Sequence, residues 1–410
     1  MHIGICGPVA ISDVEHLLNT PTSGAPRGYV GAPFLGTLIT ELVRRGHRVS
    51  AFTLSSDMPL KQDGIVVLRG PAFELHCCPM RPRAWPFNGR LPGRIVDLYA
   101  FERRALERAI ASAKPDVVHA HWSYEFAWAA LRSGLPHVIT CHDSPFVIAR
   151  FQRDFRHGGY RWLRAFMAWH VLRQAKHVTT VSPYMVGQIQ PLCQADVTVR
   201  VVPNPITDAA FFQQRTASQG GARVLMVANG WDVRKNGHAA LHAFSLFSRQ
   251  RTDAELHVYG HDHGGGEAAS VWWRDSGLTG RVVFHGAVPH ARVLVAMAQA
   301  NVFLHTALEE SFGAVIAEAL ACGTPVVGGS RSGAVPWVAG DGGLLVDVTQ
   351  AQEIAQALAA LTDDSAYAMR LAQAGREHIK THFHTEAVTT AYERELLNAM
   401  KRQSGLPQAA

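Results

Sequence analysis

Two glutamates and one glycine follow a short apolar segment, residues 302–304, in the second half of the chain. This segment has the character of a buried strand, and the residues after Gly313 have the periodicity of a helix that Gly323 would end. Glu310 therefore lies in the connecting loop, and Glu318 lies about two turns into the helix. A helix start offers free N–H groups to an anion, and carboxylates accept hydrogen bonds from hydroxyls. The pattern indicates a ligand with both phosphate and hydroxyl groups, such as a nucleotide sugar.

A second loop of the same half carries two cations. Arg223 to Ala228 is predicted as a strand and a helix is predicted from about Gly237, so Arg234 and Lys235 lie at a helix start. A lysine in this position is a natural contact for a diphosphate, because its point charge adds to the N-terminal N–H groups. The alternative is an exposed turn with two solvated cations.

The spacing of Glu310 and Glu318, with Phe312 and Gly313 between them, resembles the signature of family 4 retaining glycosyltransferases. The resemblance implies that Glu310 holds hydroxyls of a donor sugar and that Glu318 holds ribose hydroxyls. It also implies that backbone N–H groups of Phe312, Gly313 and Ala314 meet the diphosphate. The alternative is an ordinary strand–helix–strand unit with two surface glutamates.

Two positions depart from the pattern of that family. The family usually has an arginine just after the first strand of this domain and a lysine shortly after it, and Lys235 matches the lysine. The arginine position falls on Asn229 or Gly230, while Arg234 offers a second cation, so Asn229 and Arg234 are assigned to donor binding. The family also has G-G-x-P-E where this chain has residues 333–337, and Trp337 replaces the acid.

Polar residues also follow strands of the first half. Two apolar segments end in His121-Trp122 and in His142-Asp143, at the strand ends where α/β sheets bind ligands. The second segment resembles a family element whose histidine lies near the sugar, so His142 is assigned a catalytic role beside Lys235 and Glu310. A protonated His142 would stabilise charge on the diphosphate, and a neutral one would donate to a sugar hydroxyl. His121 and Trp122 are assigned to the acceptor side.

A glycine-rich loop precedes the first long helix. Gly28 and Gly31 resemble the glycines of the family loop in which the backbone approaches a phosphate closely. Gly31 is therefore assigned to donor binding. The alternative is a flexible loop.

The predicted strands and helices alternate in both halves of the chain, which favours an α/β fold. The resemblance implies the GT-B fold, two doubly wound Rossmann-like domains that face each other across a cleft. Residues 1–203 are predicted as the acceptor-side domain and residues 204–384 as the domain that binds the nucleotide sugar. Residues 385–403 are predicted as a helix that crosses back to the first domain, and the tail, residues 404–410, is predicted to be disordered.

Composition agrees with a globular enzyme and divides the charge unevenly. The chain has 410 residues, 47% of them hydrophobic, and no apolar run is long enough to span a membrane. Its six scattered cysteines lack metal-ligand spacing and are read as reduced thiols. The histidine pairs His238/His242 and His257/His261 leave a metal site open without requiring one, and none is assigned. Residues 1–200 carry a net charge of +9 and the remainder −3, which suggests an anionic partner for the first half.

A basic and aromatic helix is predicted over residues 158–176. Its periodicity would place Leu163, Phe166, Met167 and His170 on one side, with Trp162 and Trp169 among the cations Arg161, Arg164, Arg173 and Lys176 on the other. A second basic-aromatic segment includes Arg81, Arg83, Trp85, Phe87, Arg90 and Arg94. Tryptophans among cations suit a lipid headgroup region, so we expect peripheral contact with an anionic membrane. The alternative is a helix packed by neighbouring loops.

Together these features predict a retaining, metal-independent glycosyltransferase of the hexosyltransferase type. It would move a sugar from a nucleoside-diphosphate sugar to a hydroxyl of a sugar or lipid-linked saccharide, in polysaccharide or glycolipid assembly. No cofactor is expected beyond the donor, and no nucleic acid partner, since nucleic acid would leave the carboxylate pair unexplained. The expected location is cytoplasmic, peripheral at the inner membrane face. The alternatives are a phosphorylase or nucleotide-sugar epimerase of GT-B fold, and a catalytically weak GT-B-like partner subunit.

Overall fold

The computed structural model describes residues 1–61, 63–151, 155–216 and 221–403, with the side chains of 155–157 and 403 excepted. The chain divides into two compact units, one formed by Met1–Pro205 with Thr385–Ala410 and the other by Ile206–His384. The tail for which disorder is predicted, residues 404–410, lies outside the described residues.

The first unit is built on a sheet that has eight strands within the described residues. These are β1 (His2–Cys6), β2 (Arg48–Ser55), β3 (Val66–Arg69), β4 (Phe73–Pro79), β5 (Val117–His121), β6 (His137–Cys141), β7 (Val178–Thr180) and β8 (Arg200–Val201). They are ordered β3-β4-β2-β1-β5-β6-β7-β8, and all neighbours are parallel except β3 and β4. Strand β1 has β2 on one side and β5 on the other, so the order in which strands are added to the sheet reverses at β1. The loops after β1 and β5 therefore diverge at the carboxyl edge of the sheet, where β6 also ends.

The helices of the first unit cover its sheet. They are α1 (Pro33–Arg44), α2 (Ala100–Ala113), α3 (Glu125–Arg132), α4 (Pro145–Arg150), α5 (Phe155–Leu172) and α6 (Pro183–Ile189). Helix α1 begins at Pro33, which needs no N–H partner in a first turn, and buries Leu35, Leu38 and Leu42 on one face. Gly46 then ends it with a φ of 83°, a conformation that a side chain would disfavour.

The second unit has a sheet whose strands run entirely parallel. In the described residues these are β9 (Arg223–Val227), β10 (Glu255–Tyr259), β11 (Arg281–Gly286), β12 (Val302–Leu304), β13 (Val326–Gly329) and β14 (Gly343–Val346). Their order is β11-β10-β9-β12-β13-β14, so the order in which strands are added to the sheet reverses between β9 and β12. The accompanying helices are α7 (Asp208–Phe211), α8 (Gly237–Ser248), α9 (Ala268–Asp275), α10 (His290–Gln299), α11 (Ala314–Ala321), α12 (Val335–Ala339), α13 (Ala351–Asp363) and α14 (Ser365–His382). The predicted class, two doubly wound α/β domains, is confirmed.

The last helix, α15 (Thr385–Gln403), belongs to the first unit. It buries Val388, Tyr392 and Leu396 in that unit's core, at the spacing that puts side chains on one helix face. Glu393 on its outer side accepts hydrogen bonds from Arg45 at 2.6 Å and pairs with His47 at 2.7 Å. The helix is therefore held both by apolar burial and by ion pairs along its edge.

Two arginines of the basic-aromatic segment expected to contact a membrane, Arg81 and Arg94, bind other groups of the protein instead. The side chain of Arg81 has no exposed surface, and its guanidinium donates to Glu102 at 2.6 Å and to Asp97 at 2.7 Å. Arg94 donates to the carbonyl oxygen of Arg81 at 2.7 Å and to the Tyr99 hydroxyl at 3.3 Å. A basic-aromatic composition carries no information about acids later in the chain, and two of them, Asp97 and Glu102, draw Arg81 inward.

The predicted faces of α5 also need correction. The side chain of Arg164 is 13% exposed, and its guanidinium binds Glu125 at 3.1 Å and lies 3.8 Å from the centroid of the Tyr124 ring. Phe166, predicted on the apolar side, is 49% exposed. The buried face of α5 is thus rotated from the predicted one, because its neighbours include a buried acid that the periodicity cannot register.

Replacing Arg81 with alanine should destabilise the first unit. The change leaves Glu102, which is fully buried, without its cation, and breaking a buried pair in this way costs about 3–5 kcal/mol. Urea unfolding monitored by tryptophan fluorescence measures the loss. The exposed Arg90 in the same segment gives the control, and its change to alanine should cost less than about 0.5 kcal/mol. Equal stability of the two variants would contradict the assignment.

Candidate functional site

The loops that follow two neighbouring strands of the second unit meet through one ion pair. Strands β9 and β12 are adjacent and parallel, so the loops after them begin at the same edge of the sheet. The Lys235 ammonium, in the loop after β9, donates to Glu310 Oε1, in the loop after β12, at 2.6 Å. Both side chains are largely buried, at 16% and 13% exposure. The structure thus brings together two of the three predicted catalytic residues.

Glu310 is held in its ionised form by its surroundings. Burial by itself would raise the pKa of this carboxyl, but the Lys235 ammonium and the His305 ring outweigh it and bring the pKa well below its usual range. The Nε2 atom of His305 lies 3.4 Å from Glu310 Oε1. An ionised carboxylate only accepts hydrogen bonds, so Glu310 can receive hydroxyl donors from a ligand.

The start of α11 has the geometry of an anion site. Gly313 precedes the helix with a φ of 89°, and Ala314, its first residue, is exposed. The first N–H groups of a helix have no acceptor within it, and the helix dipole adds partial positive charge there. This end of the helix lies in the same loop segment as Glu310.

Phe312 reaches the site only through its backbone. Its side chain is 4% exposed and packs edge-on against Phe383, with ring centroids 5.6 Å apart. Trp337 completes the group, 4.9 Å from Phe383 and 6.3 Å from Phe312. The tryptophan that replaces the expected acid therefore supports the loop that carries Glu310 by aromatic packing.

Glu318 lies in the second turn of α11 and is paired with a histidine. His290 Nε2, at the first residue of α10, is 2.9 Å from Glu318 Oε1. The hydrogen bond to Glu318 raises the pKa of His290, since it favours the charged ring. The Glu318 side chain is 19% exposed, so it keeps access to solvent.

Asn229 and Arg234 occupy different positions relative to this pair. The Asn229 side-chain oxygen accepts from the His261 N–H at 3.1 Å, which ties the loop after β9 to the loop after β10. Arg234 is half-buried and its guanidinium approaches the carbonyl oxygen of Glu309 at 3.5 Å. Arg234 is thus the residue that adds a second cation beside Lys235 and Glu310.

The predicted residues of the first unit form a second group, at the carboxyl ends of β5 and β6. His121 Nδ1 lies 2.9 Å from His142 Nε2, and the rings stack with centroids 5.1 Å apart. Trp122 has a φ of 65°. This left-handed conformation has a free-energy cost for any residue other than glycine. This conformation places the indole 4.4 Å from the His142 ring. His121, Trp122 and His142 are therefore brought together.

Burial keeps this histidine cluster neutral. It lowers the pKa of His142 to about 3 and the pKa of His119, next along β5, also to about 3. The pKa of His121 is likewise well below its ordinary value, from burial first and then from its two histidine neighbours. Burial therefore favours the neutral form of the His142 ring.

The two glycines before α1 differ in what they do. A side chain on Gly28 would lie 2.4 Å from the carbonyl oxygen of Val9, so this glycine is needed for packing. Gly31 has a φ of 132° and open space around it, on an exposed loop. Phe34, in the first turn of α1, lies 4.9 Å from the His142 ring. The loop of Gly31 therefore leads directly to the histidine cluster.

Sequence reasoning missed three residues at these sites. His305 directly follows β12, and a polar residue at a strand end was the available signal. His290 opens α10, but nothing near it in sequence indicates Glu318 as its partner. Phe34 has the spacing of an ordinary apolar helix residue and cannot be distinguished from core by pattern alone.

The described residues contain no cluster of three or more histidine, cysteine or acidic side chains placed to hold a metal ion. The first histidine of each pair considered for metal binding contacts another aromatic side chain. His238 packs against Trp231, with centroids 4.3 Å apart, and His257 Nδ1 lies 2.9 Å from His285 Nε2. In the same part of the chain, none of the helices is long and apolar enough to cross a membrane.

Comparison with known families decides the kind of enzyme. Residues 208–378 match the family described as glycosyl transferases group 1, and residues 33–209 match the one described as glycosyltransferase family 4. The chain is a family 4, group 1 glycosyltransferase. The first match contains Lys235, Glu310 and Glu318, and the second contains His121 and His142.

Individual relatives agree with this assignment. Glycogen synthase of Mycobacterium tuberculosis is 28% identical over 313 residues, which cover 72% of each chain. Sucrose-phosphate synthase of Thermosynechococcus elongatus has a similar structure, with a TM-score of 0.73, 19% identity and 99% of each chain covered. HepE of Anabaena, solved with UDP and glucose, gives a TM-score of 0.64 at 16% identity and covers 97% of this chain and 99% of its own. The fold of this glycosyltransferase is the GT-B type.

Buried His119 should make the stability of the first unit depend on pH. Its folded pKa of about 3 is depressed, so protons bind the unfolded chain preferentially below about pH 6.5. The contribution of the neutral His119 ring to the free energy of unfolding is therefore fully present above that pH and is lost on acidification. From about pH 7.5 to about pH 5 the wild type should lose about 2 kcal/mol more than His119→Gln, which keeps a donor for Thr140.

Urea unfolding at the two pH values measures this difference. His16→Gln, which changes an exposed histidine of the same unit, provides the control and should follow the wild type. Parallel losses in wild type and His119→Gln would rule out a buried neutral ring at this position.

Proposed function

We propose that this glycosyltransferase transfers a sugar, with retention of configuration, from a nucleoside-diphosphate sugar to an acceptor hydroxyl without a metal ion. The observation that carries the proposal is the 2.6 Å ion pair between Lys235, in the loop after β9, and Glu310, in the loop that leads into α11. Cation, helix start and carboxylate lie together, as a ligand with diphosphate and hydroxyl groups requires. Relatives that bind such ligands, including HepE with UDP and glucose, add support.

Lys235 and the start of α11 would stabilise the leaving diphosphate. An ammonium close to free backbone N–H groups offers charge and hydrogen bonds where negative charge develops as the sugar–phosphate bond breaks. Because this pair of groups is preorganised and partly buried, it can supply the role that a metal ion has in other transferases. Arg234, half-buried in the same loop, would add a second cation.

The carboxylates would orient the donor. Glu310 would accept hydrogen bonds from hydroxyls of the sugar, and Glu318 would accept them from the ribose. His290, bonded to Glu318 at 2.9 Å, would fix the orientation of that carboxylate. Neutral His142 would donate a hydrogen bond to a sugar hydroxyl.

The proton would not need a protein base. As the bond between the anomeric carbon and the phosphate oxygen breaks, the acceptor oxygen would bond to the same carbon from the same face. The leaving phosphate would take the acceptor proton, which balances its developing charge. Stereochemistry is then retained because both oxygens use one face of the sugar.

Lys235→Ala and Glu310→Gln should each lower kcat/KM by about 10²–10³-fold, because each removes a preorganised charge from the transition state. The donor is first identified by the thermal shift that UDP-, GDP- and ADP-sugars cause in the wild type. Initial rates of nucleotide release with an acceptor panel then measure the effect. Asp363→Asn, which removes an exposed acid paired with Arg251 in the same unit, is the control and should keep wild-type activity.

The outcomes separate the alternative functions. Wild-type activity in both variants would refute the assigned roles. An acceptor-independent change in the nucleotide sugar would indicate an epimerase, and sugar release by inorganic phosphate would indicate a phosphorylase. Lack of binding for every nucleotide sugar in calorimetry would favour a partner subunit.

We also propose that α5 contacts an anionic membrane at the cytoplasmic face, where a lipid-linked saccharide would be the acceptor. Trp162, Phe166 and Trp169 are 51%, 49% and 43% exposed and follow one another at the spacing of a single helical stripe. Arg173, one turn further, is exposed on the same line. Aromatic rings that enter the headgroup region and a cation that meets lipid phosphate are the features of an interfacial helix.

The second basic-aromatic segment, like α5, has exposed aromatic and basic side chains. Phe87 is 66% exposed, and Arg83 and Arg90 are exposed beside it. Trp85, in the same segment, lies near Gly159 at the start of α5, since a side chain there would contact its ring at 3.6 Å. Aromatic groups and cations thus recur together, which favours an anionic bilayer over an uncharged apolar partner.

Trp162→Ala combined with Trp169→Ala should reduce flotation with phosphatidylglycerol vesicles by about tenfold, since the variant loses two rings that would enter the lipid headgroup region. Phosphatidylcholine vesicles should capture little of either protein. Phe212→Ala, at an aromatic residue that is 78% exposed in the second unit, should float like the wild type. Equal flotation of the double variant, or no flotation of the wild type, would dismiss the membrane contact without affecting the proposed reaction.

A further inference from the structure

A second cavity in the first unit lies away from the histidine cluster. It has a volume of about 590 Å³ and is lined by side chains of α2, α3 and α5 and by His137, the first residue of β6. His142 follows the other end of the same strand. Five strand residues separate the two ends by roughly 16 Å, at about 3.3 Å per residue. The cavity is therefore a separate place in the fold.

The cavity concentrates positive charge. Arg103, Arg104 and Arg132 line it, together with one acid, Glu107. Glu107 Oε1 forms an ion pair with Arg132 Nε at 3.3 Å and neutralises that cation only in part, because Arg132 is largely exposed. A cavity with three guanidinium groups and one carboxylate favours an anionic ligand.

Arg103 is held in a fixed orientation. Its guanidinium carbon lies 3.8 Å from the centroid of the Trp128 indole, and its Nε–H donates to the carbonyl oxygen of Leu98 at 3.0 Å. The His170 ring packs on the same indole, with centroids 4.5 Å apart. Stacking and the Nε–H bond fix the plane of the group and leave its Nη edge for a ligand. A planar, preorganised guanidinium edge matches two oxygens of a phosphate.

His137 adds an acceptor to this set of donors. Its Nδ1 atom donates to the carbonyl oxygen of Leu135 at 2.9 Å, so the neutral ring presents Nε2 as a lone pair. Within the described residues, this buried Nε2 has no hydrogen-bond partner. Burial lowers the pKa of His137, which keeps the ring neutral and Nε2 able to accept. A hydroxyl group of a ligand would satisfy it.

We infer that this cavity binds a phosphate monoester whose phosphate meets Arg103 and Arg104 and whose neighbouring hydroxyl donates to His137. Two sources carry this chemistry, a soluble phosphorylated polyol and the headgroup of a phospholipid. The cavity adjoins the aromatic stripe of α5, since His170 and Gln174 line it and Trp169 and Arg173 precede them in the chain. The inference does not rest on the proposed transfer reaction.

Calorimetry of the full chain with glycerol 1-phosphate tests the soluble source. All proteins carry Lys235→Ala, which removes one phosphate donor from the second unit, and every variant is compared within this background. Arg103→Lys keeps the charge but loses the planar edge, and it should weaken binding about tenfold. Arg104→Gln should weaken it by about fivefold. Arg249→Gln, at an exposed arginine of the second unit, should leave affinity unchanged.

Methyl phosphate tests the hydroxyl contact. It lacks a hydroxyl for His137, so His137→Phe should weaken glycerol 1-phosphate binding and leave methyl phosphate binding unchanged. Thermal unfolding of each variant checks that the fold is kept. Equal loss for both probes in a folded His137→Phe would contradict the hydroxyl contact.

Vesicles test the lipid source. Lysophosphatidic acid in phosphatidylcholine vesicles carries a phosphate monoester and a neighbouring hydroxyl, whereas phosphatidylserine carries a phosphate diester. Arg103→Lys should therefore reduce flotation with the first lipid and leave it unchanged with the second. Binding to lysophosphatidic acid vesicles that Arg103→Lys weakens, without binding of glycerol 1-phosphate, would assign the cavity to a lipid headgroup. Absence of binding to both probes, or equal binding by Arg103→Lys and Arg249→Gln, would overturn the inference.

Discussion

The ion pair between Lys235 and Glu310 is the constraint on which the candidate site depends. It joins loops from two adjacent parallel strands, and Asn236 reinforces the junction by donating to the carbonyl oxygens of Thr306 and Val348 at 3.2 and 2.9 Å. An ammonium has three donors, so Lys235 can keep its bond to Glu310 and still bind a phosphate oxygen. Because Glu310 offsets the charge of Lys235, attraction for an anion depends on the additional positive potential of Arg234 and of the α11 start.

Both departures from the family pattern are accommodated by local packing. Asn229, where an arginine is usual, connects two strand-end loops through the His261 N–H. Trp337, where an acid is usual, fills an aromatic group with Phe312 and Phe383. Each substituted side chain therefore has a structural role. The proposed diphosphate site accordingly has fewer cations than the family pattern, and Arg234 is the additional cation that the same loop offers.

The sequence could predict the features that follow from neighbouring residues in the chain, but not those that depend on partners on distant elements. Glu310, Lys235 and His142 follow apolar strands, and parallel sheets gather such positions at one edge, so their grouping within each unit was accessible. The burial of Arg81 and Arg164 was not, because each is drawn inward by an acid, Glu102 or Glu125, on another element. Periodicity defines the faces of a helix but not which neighbours cover them. The protonation of His142 also depends on burial by residues distant in the chain, so composition left both forms open.

The positive charge of the first half is therefore not evenly distributed over its surface. Arg81 and Arg164 are neutralised by the buried acids Glu102 and Glu125. Arg45 joins Glu41 of α1 to Glu393 of α15 and so helps to hold the last helix. The excess that remains includes Arg103 and Arg104 in the cavity and the cations that border the stripe on α5. Salt screens exposed charges much more effectively than enclosed ones. Attraction at the helix surface should thus depend strongly on ionic strength, whereas a phosphate in the cavity is held mainly by the fixed geometry of Arg103.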